Sequence, residues 1–127
     1  MNYLLDTHAI IWMFENSSKM SYSIKEIIRN PQNSITICTI SIWEIAIKMN
    51  IGKLNLSLSL NELIKALKFS DFDFLQIEDK YILGLSKLPM LHKDPFDRLL
   101  IATAIAENMT IITIDENIQR YDVAWVW

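Results

Sequence analysis

Apolar positions along the chain switch between two periods. "NYLL" (2–5) is a short apolar run with the length of a buried strand, and "THAIIWMFE" (7–15) then repeats its apolar residues at helical spacing. "SYSIKEIIRN" (21–30) has the pattern of an amphipathic helix. Ser23 and Glu26 stand at capping-box spacing in it, and Pro31 follows its end. "SITIC" (34–38) alternates and is rich in β-branched residues, which predicts a strand. In "SIWEIAIKMN" (41–50), Ile42, Ile45, Ala46 and Met49 share one helical face.

Residues 51–60 hold Gly52 and an ambiguous alternation, and read as a turn followed by a loop. "SLNELIKALKF" (59–69) is a helix opened by a second capping box, Ser59 with Glu62. "FDFLQI" (72–77) predicts a strand, and "EDKYILGLSKL" (78–88) a helix in spite of Gly84. "PMLHKD" (89–94) is a connection. "PFDRLLIATAIAEN" (95–108) has Pro at a first helical position and is apolar nearly all round, so it predicts a buried helix. "TIITI" (110–114) is a strand, "DENIQRY" (115–121) a turn or short helix, and "VAWVW" (123–127) a terminal strand. Strands thus alternate with helices throughout, the order of an α/β fold with a mainly parallel sheet and helices on both faces. No repeat, linker or low-complexity tract interrupts it, and residues 1–127 predict a single domain.

Composition narrows the class. Hydrophobic residues make up 51% of the 127 and charged residues 21%, a globular balance. The lone cysteine, Cys38, excludes an internal disulfide and suits a reducing cytoplasm. The N-terminus has no basic region and Asp6 breaks its apolar stretch, unlike a signal peptide. No apolar run has the length of a membrane span, and no membrane partner is expected. The net charge of −3 is not the footprint of a general nucleic-acid binder.

The informative acids stand where strands give way to helices. In open parallel sheets that edge is where ligands bind. Asp6 ends the first strand, Glu44 falls in the first turn of the helix after the second, Asp97 in the first turn of the helix opened by "DPF", and Asp115 ends "TIITI". Asp94 lies three residues before Asp97. Taken singly, each acid has a structural explanation. Asp6, Asp94 and Asp115 suit helix N-caps. Glu44 completes an apparent capping box with Ser41 and can pair with Lys48. Asp97 suits the positive end of a helix dipole. Taken together they pose a problem. Two charges about 4 Å apart repel by about 4 kcal/mol at an effective dielectric of 20, against a domain stability of about 5–15 kcal/mol. Converging acids must be protonated, spread apart or neutralised by a cation. Oxygen donors without a His or Cys cluster select Mg²⁺ or Mn²⁺, and His8 and His92 are too scattered for zinc. A carboxylate-held Mg²⁺ suits phosphate chemistry.

Lys48, Lys53, Lys93 and Arg98 are candidate phosphate contacts, His92 is a further candidate RNA contact, and Arg98 is alternatively an orienter of an acid. His8 reads as a hydrogen-bonded neighbour of the site. Trp12, Trp43, Trp125 and Trp127 suit core packing, although Trp12 with Ile11 and Phe14, together with Trp43, could leave an apolar groove open to a partner.

"LLDTHAIIW", "SIWEIAIKMNIGKL", "LHKDPFDRLLIATAIAENMTIITID" and the final "AWVW" resemble a PIN-domain ribonuclease, and more narrowly the VapC-type toxins of bacterial toxin–antitoxin pairs. The resemblance runs from residue 3 to the C-terminus. It implies a PIN α/β/α sandwich and Mg²⁺- or Mn²⁺-dependent hydrolysis of RNA to a 5′-phosphate and a 3′-hydroxyl. Asp6, Glu44, Asp97 and Asp115 match the family's acidic quartet. Thr7 and Thr113 match small hydroxyl positions beside it, and Asp94, Arg98 and His92 match polar positions of the subgroup. The resemblance also implies a homodimer and inhibition by a small antitoxin. Two rival readings are a PIN-like module that only binds RNA or partners, and a receiver-type signalling domain. The second lacks adjacent acids after the first strand, a mid-chain Asp and a late-strand Lys.

Overall fold

The computed structural model describes residues 1–127. Its five strands form one sheet, all parallel, in the order β3-β2-β1-β4-β5. They are β1 (Asn2–Leu5), β2 (Ser34–Cys38), β3 (Asp73–Leu75), β4 (Thr110–Ile112) and β5 (Trp125–Val126). Seven helices connect them: α1 (Thr7–Phe14), α2 (Tyr22–Arg29), α3 (Thr39–Asn50), α4 (Leu60–Phe69), α5 (Asp79–Leu85), α6 (Pro95–Glu107) and α7 (Glu116–Gln119).

Period-two alternation divides the core. Tyr3 and Leu5 of β1, Ile35 and Ile37 of β2 and Ile112 of β4 face one layer, where they meet Ala9, Ile10 and Ile24, Ile45 of α3, and Leu63 and Leu67 of α4. Leu4, Cys38 and Ile111 face the other, against Tyr81, Leu100, Ile101, Ala104 and Ile118. Helices therefore cover both faces, as the element order predicts, and the result is a three-layer α/β/α sandwich. Cys38 is buried and free. No helix is long and apolar enough to cross a membrane.

The chain builds β1, β2 and β3 outward in one direction and then returns to lay β4 on the other side of β1. The strand order thus reverses between β1 and β4. A crevice opens outside the carboxyl ends of two strands whose connections depart in opposite senses.

Several boundaries differ from the sequence reading. α2 is capped by Ser21, whose Oγ accepts from the Ile24 N–H, so Ser23 lies inside the helix and makes no capping box. α3 begins at Thr39, two residues early. Glu44 therefore lies in its second turn, and Ser41 is internal, with a buried Oγ that has no hydrogen-bond partner. β4 ends at Ile112, before Thr113 and Ile114. Ser59 does cap α4 through the Glu62 N–H, and Asp94 caps α6 ahead of Pro95. Asn108 closes α6 in the left-handed region at φ 53°.

Gly84 has no steric reason to be glycine, since a Cβ there would stand 3.8 Å from the Ala102 Cβ and its φ is not positive. Gly84→Ala should therefore stabilise the fold by about 0.5–1 kcal/mol through helix propensity. Chemical denaturation checks this, and a loss of stability would show that α5 has no room there.

Candidate functional site

The carboxyl ends of β1 and β4 carry the first two acids. Asp6 follows β1 and caps α1. Its Oδ1 accepts from the Ala9 N–H at 2.7 Å, and its Oδ2 accepts from the Thr113 hydroxyl. The side chain is buried, and burial pushes its pKa up against the lowering effect of those two hydrogen bonds; the charge of Asp115 pushes the same way as burial. Thr113 also accepts the Asp115 N–H on its Oγ1 at 3.0 Å, so one hydroxyl ties the two acidic segments together. Asp115 caps α7 through the Asn117 N–H at 2.8 Å.

The other two acids come from helices. Glu44 is buried on α3. Its Oε1 accepts from the Thr7 hydroxyl at 2.7 Å, and its Oε2 pairs with Lys48 Nζ at 2.7 Å. Asp97 lies in the first turn of α6, with its N–H bonded to Asp94 Oδ1 at 3.0 Å. Its Oδ2 stands 3.1 Å from His92 Nε2. Burial raises the pKa of Asp97 to about 7 despite that hydrogen bond, and the charges of Asp94, Asp115 and Glu44 push it the same way.

These mutual effects put the acids of four separate segments in one neighbourhood: Asp97 senses Asp115 and Glu44, and Asp6 senses Asp115. They do not form a finished cation site. No three His, Cys, Asp or Glu side chains group closely enough to hold a metal ion. Each acid is engaged by a donor of its own: Thr113, Thr7 with Lys48, His92, and the Asn117 amide. In kind, an all-oxygen set suits a hard divalent ion. The unpartnered Ser41 hydroxyl lies one turn before Glu44 on the same helix and is the one buried side-chain polar atom left unsatisfied.

The candidate basic contacts divide. Lys48 is committed to Glu44. Lys53 and Lys93 are exposed and make no ion pair. Arg98 is buried, which rules it out as a surface phosphate contact; its Nη1 donates to the Pro89 carbonyl at 2.8 Å and to the Tyr121 oxygen at 2.9 Å. His92 is turned inward between Asp97 and Tyr121. His8 makes no hydrogen bond; it is exposed and its ring lies 5.7 Å from that of Trp12. The tryptophans divide: Trp12 and Trp127 pack on the edge of the first core layer, as core packing predicts, and the other two do not. Trp43 and Trp125 are exposed, while Trp12 and Trp127 are half-buried against each other at 5.5 Å. Trp43 keeps an edge contact with Phe96 at 5.1 Å, so the apolar surface is more open than core packing predicts, although Ile11 is buried. Tyr121 was invisible to sequence reasoning, because nothing in "DENIQRYD" marks it.

The family model for the PIN domain matches residues 3–124. The chain belongs to the PIN domain family. No curated protein matches it in sequence. Among solved structures, this PIN domain is similar to the VapBC2 complex of Rickettsia felis bound to a DNA fragment from its promoter, with a TM-score of 0.75 at 19% identity over 100% of this chain and 99% of that one. It is similar also to VapBC-1 of nontypeable Haemophilus influenzae (TM-score 0.69, 20% identity, 99% of this chain and 97% of that). A third is the DNA-bound VapBC of Salmonella typhimurium (0.71, 13%, 99% and 97%). At such identities the likeness is one of fold. Family membership removes the receiver reading, and the acidic edge of this PIN domain stands at the reversal point of its sheet.

Proposed function

We propose that this PIN domain is a Mg²⁺- or Mn²⁺-dependent endoribonuclease and the toxin of a toxin–antitoxin pair. The observation that carries the reading is that acids from four segments lie around the β1–β4 reversal, near enough to act on one another though not to share an ion, and that burial with their repulsion raises the Asp97 pKa to about 7. A site built to be neutral would not place charges there. A cation resolves the repulsion that the local donors only reduce. Asp6 and Asp97 would be its main ligands, with Glu44 and Asp115 bound directly or through water, and Asp94, Thr7 and Thr113 would hold those acids in place. When bound, such an ion polarises a phosphoryl oxygen and lowers the pKa of a water. Hydrolysis breaks the P–O3′ bond and leaves a 5′-phosphate and a 3′-hydroxyl. Lys53 and Lys93 are free to meet RNA phosphates, and Lys48 becomes so if Glu44 turns to a cation. The VapBC complexes support a small antitoxin as partner. The homodimer and a cytoplasmic location belong to the same proposal, and the exposed Trp43 and Trp125 offer apolar surface for one of these contacts.

The separation of the acids favours a second reading, a PIN domain that binds RNA or a partner without cutting it. One assay separates them. Purified protein incubated with RNA should cut it in Mg²⁺ or Mn²⁺ and stop in EDTA, leaving 5′-phosphate ends. RNA bound but left intact in both metals would favour the second reading.

A further inference from the structure

A chain of hydrogen bonds runs inward from Asp97 to a buried arginine. His92 Nε2 stands 3.1 Å from Asp97 Oδ2, and His92 Nδ1 stands 2.8 Å from the Tyr121 phenol oxygen. That oxygen accepts from Arg98 Nη1 at 2.9 Å and from the His92 backbone N–H at 3.3 Å. Tyr121 is buried, with the Arg98 guanidinium 6.0 Å from its ring centre.

The direction of each bond follows from what each group can do. A guanidinium and a backbone N–H only donate. Together they fill both lone pairs of the phenol oxygen, which leaves it one hydrogen to give, and the neighbour remaining is His92 Nδ1. Nδ1 must then accept. A neutral imidazole that accepts at Nδ1 carries its hydrogen at Nε2, and that N–H faces Asp97. The opposite arrangement fails at the same oxygen. With a hydrogen on Nδ1, the phenol oxygen would meet three donors, and its own hydrogen would have no acceptor in a buried place.

We propose that Arg98 and Tyr121 are positioning residues: Arg98, with the His92 backbone N–H, fills the phenol's lone pairs, so Tyr121 donates to Nδ1 and fixes His92 as its Nε2–H tautomer, which holds the Asp97 carboxylate at the acidic edge. The proposal rests on the reading of Asp97 as a site acid. Arg98, which the sequence suggests as a phosphate contact, acts instead from inside the fold, through two other side chains. Nothing in the relay touches substrate.

The test uses the whole protein. Imidazole ¹⁵N spectra of the wild type at pH 8 should show His92 protonated at Nε2 and bare at Nδ1; a hydrogen on Nδ1 overturns the relay. Tyr121→Phe keeps the ring and removes the phenol, and should lower kcat for RNA cleavage by about 10–100-fold with KM little changed. His92→Gln keeps a donor at the reach of Nε2 but has no tautomer to set, so whatever activity it keeps should no longer depend on the phenol. In that background Tyr121→Phe should cost less than about threefold. An equal loss in both backgrounds would make Tyr121 a packing residue only. If the wild type cuts no RNA, the nuclease reading fails, while the spectra still decide the tautomer; if Tyr121→Phe does not fold, they decide it too.

Discussion

Asp97→Asn should abolish measurable RNA cleavage and, in the same protein, raise stability above neutral pH. Loss of one acid from a set that acts as a unit should lower kcat by roughly a thousandfold. The stability effect has its own sign. The folded pKa of Asp97 is about 7 against an ordinary 3.8, and burial is the main cause. Between those values the folded chain holds a proton that the unfolded chain has released, so stability falls as pH rises. The full stability is present below about pH 4 and is lost as pH climbs through 7. Asparagine carries no charge at any of these pH values, and it still offers an oxygen to His92. The carboxylate keeps 17% of its surface in water, so screening reduces the gain at pH 8 to about 1–3 kcal/mol. Thermal unfolding without divalent ions, at pH 8 and at pH 5, measures it, and the gain should shrink toward the acid side. An active Asp97→Asn protein would remove Asp97 from the mechanism. A variant destabilised equally at both pH values would mean that the buried charge is not the source of strain.

That one acid can be a stability defect in the fold and still a candidate for the site bears on how much of that candidate site is legible in the sequence. Asp6, Asp94 and Asp115 each cap a helix as their local sequence predicts, through the amides of Ala9, Asp97 and Asn117. The capping reading of these three acids agrees with the structure, and it does not compete with the joint reading, because a cap at a strand end already lies on the ligand edge of a parallel sheet. The strands β1 and β2 and the helix α6 were legible for the same reason. Their periodicity, β-branched content and Pro95 signal agree with where the fold needs them.

What sequence missed depends on contacts between distant segments. Ser41 and Glu44 have capping-box spacing, but α3 starts at Thr39, and Glu44 finds its partners in Thr7 and Lys48. For Arg98 the sequence leaves a phosphate contact and an orienter of an acid both open, and only its place in α6, which turns it toward Pro89 and Tyr121, argues against the surface reading. Tyr121 gains meaning only because the α7 end packs against the loop that carries His92. Trp43 and Trp125 mislead for the opposite reason. Trp43 is apolar and helical but exposed, since the inner face of α3 already holds Ile40 and Ile45.

Divalent metal should stabilise the wild type in a pH-dependent way. An ion that binds only the folded state adds RT ln(1 + [L]/Kd), which is about 2.7 kcal/mol at a hundred times Kd. At pH 8 Asp97 is largely ionised and lies among other acids, so cation binding should relieve the strain that its desolvation creates. At pH 5 the same carboxyl holds a proton, which the cation must displace. Millimolar Mg²⁺ or Mn²⁺ should therefore raise Tm by several degrees at pH 8, by much less at pH 5, and hardly at all in Asp97→Asn, with EDTA reversing the gain. The acids now stand apart, each with its own donor, so the ion must also draw Glu44 from Lys48, while Asp97 can offer the oxygen that His92 does not hold. That reorganisation weakens binding without changing its pH sign. Equal shifts at both pH values would place the ion elsewhere on the surface. No shift at any concentration would leave the local donors as the whole answer to the repulsion, and the acidic edge as a binding surface.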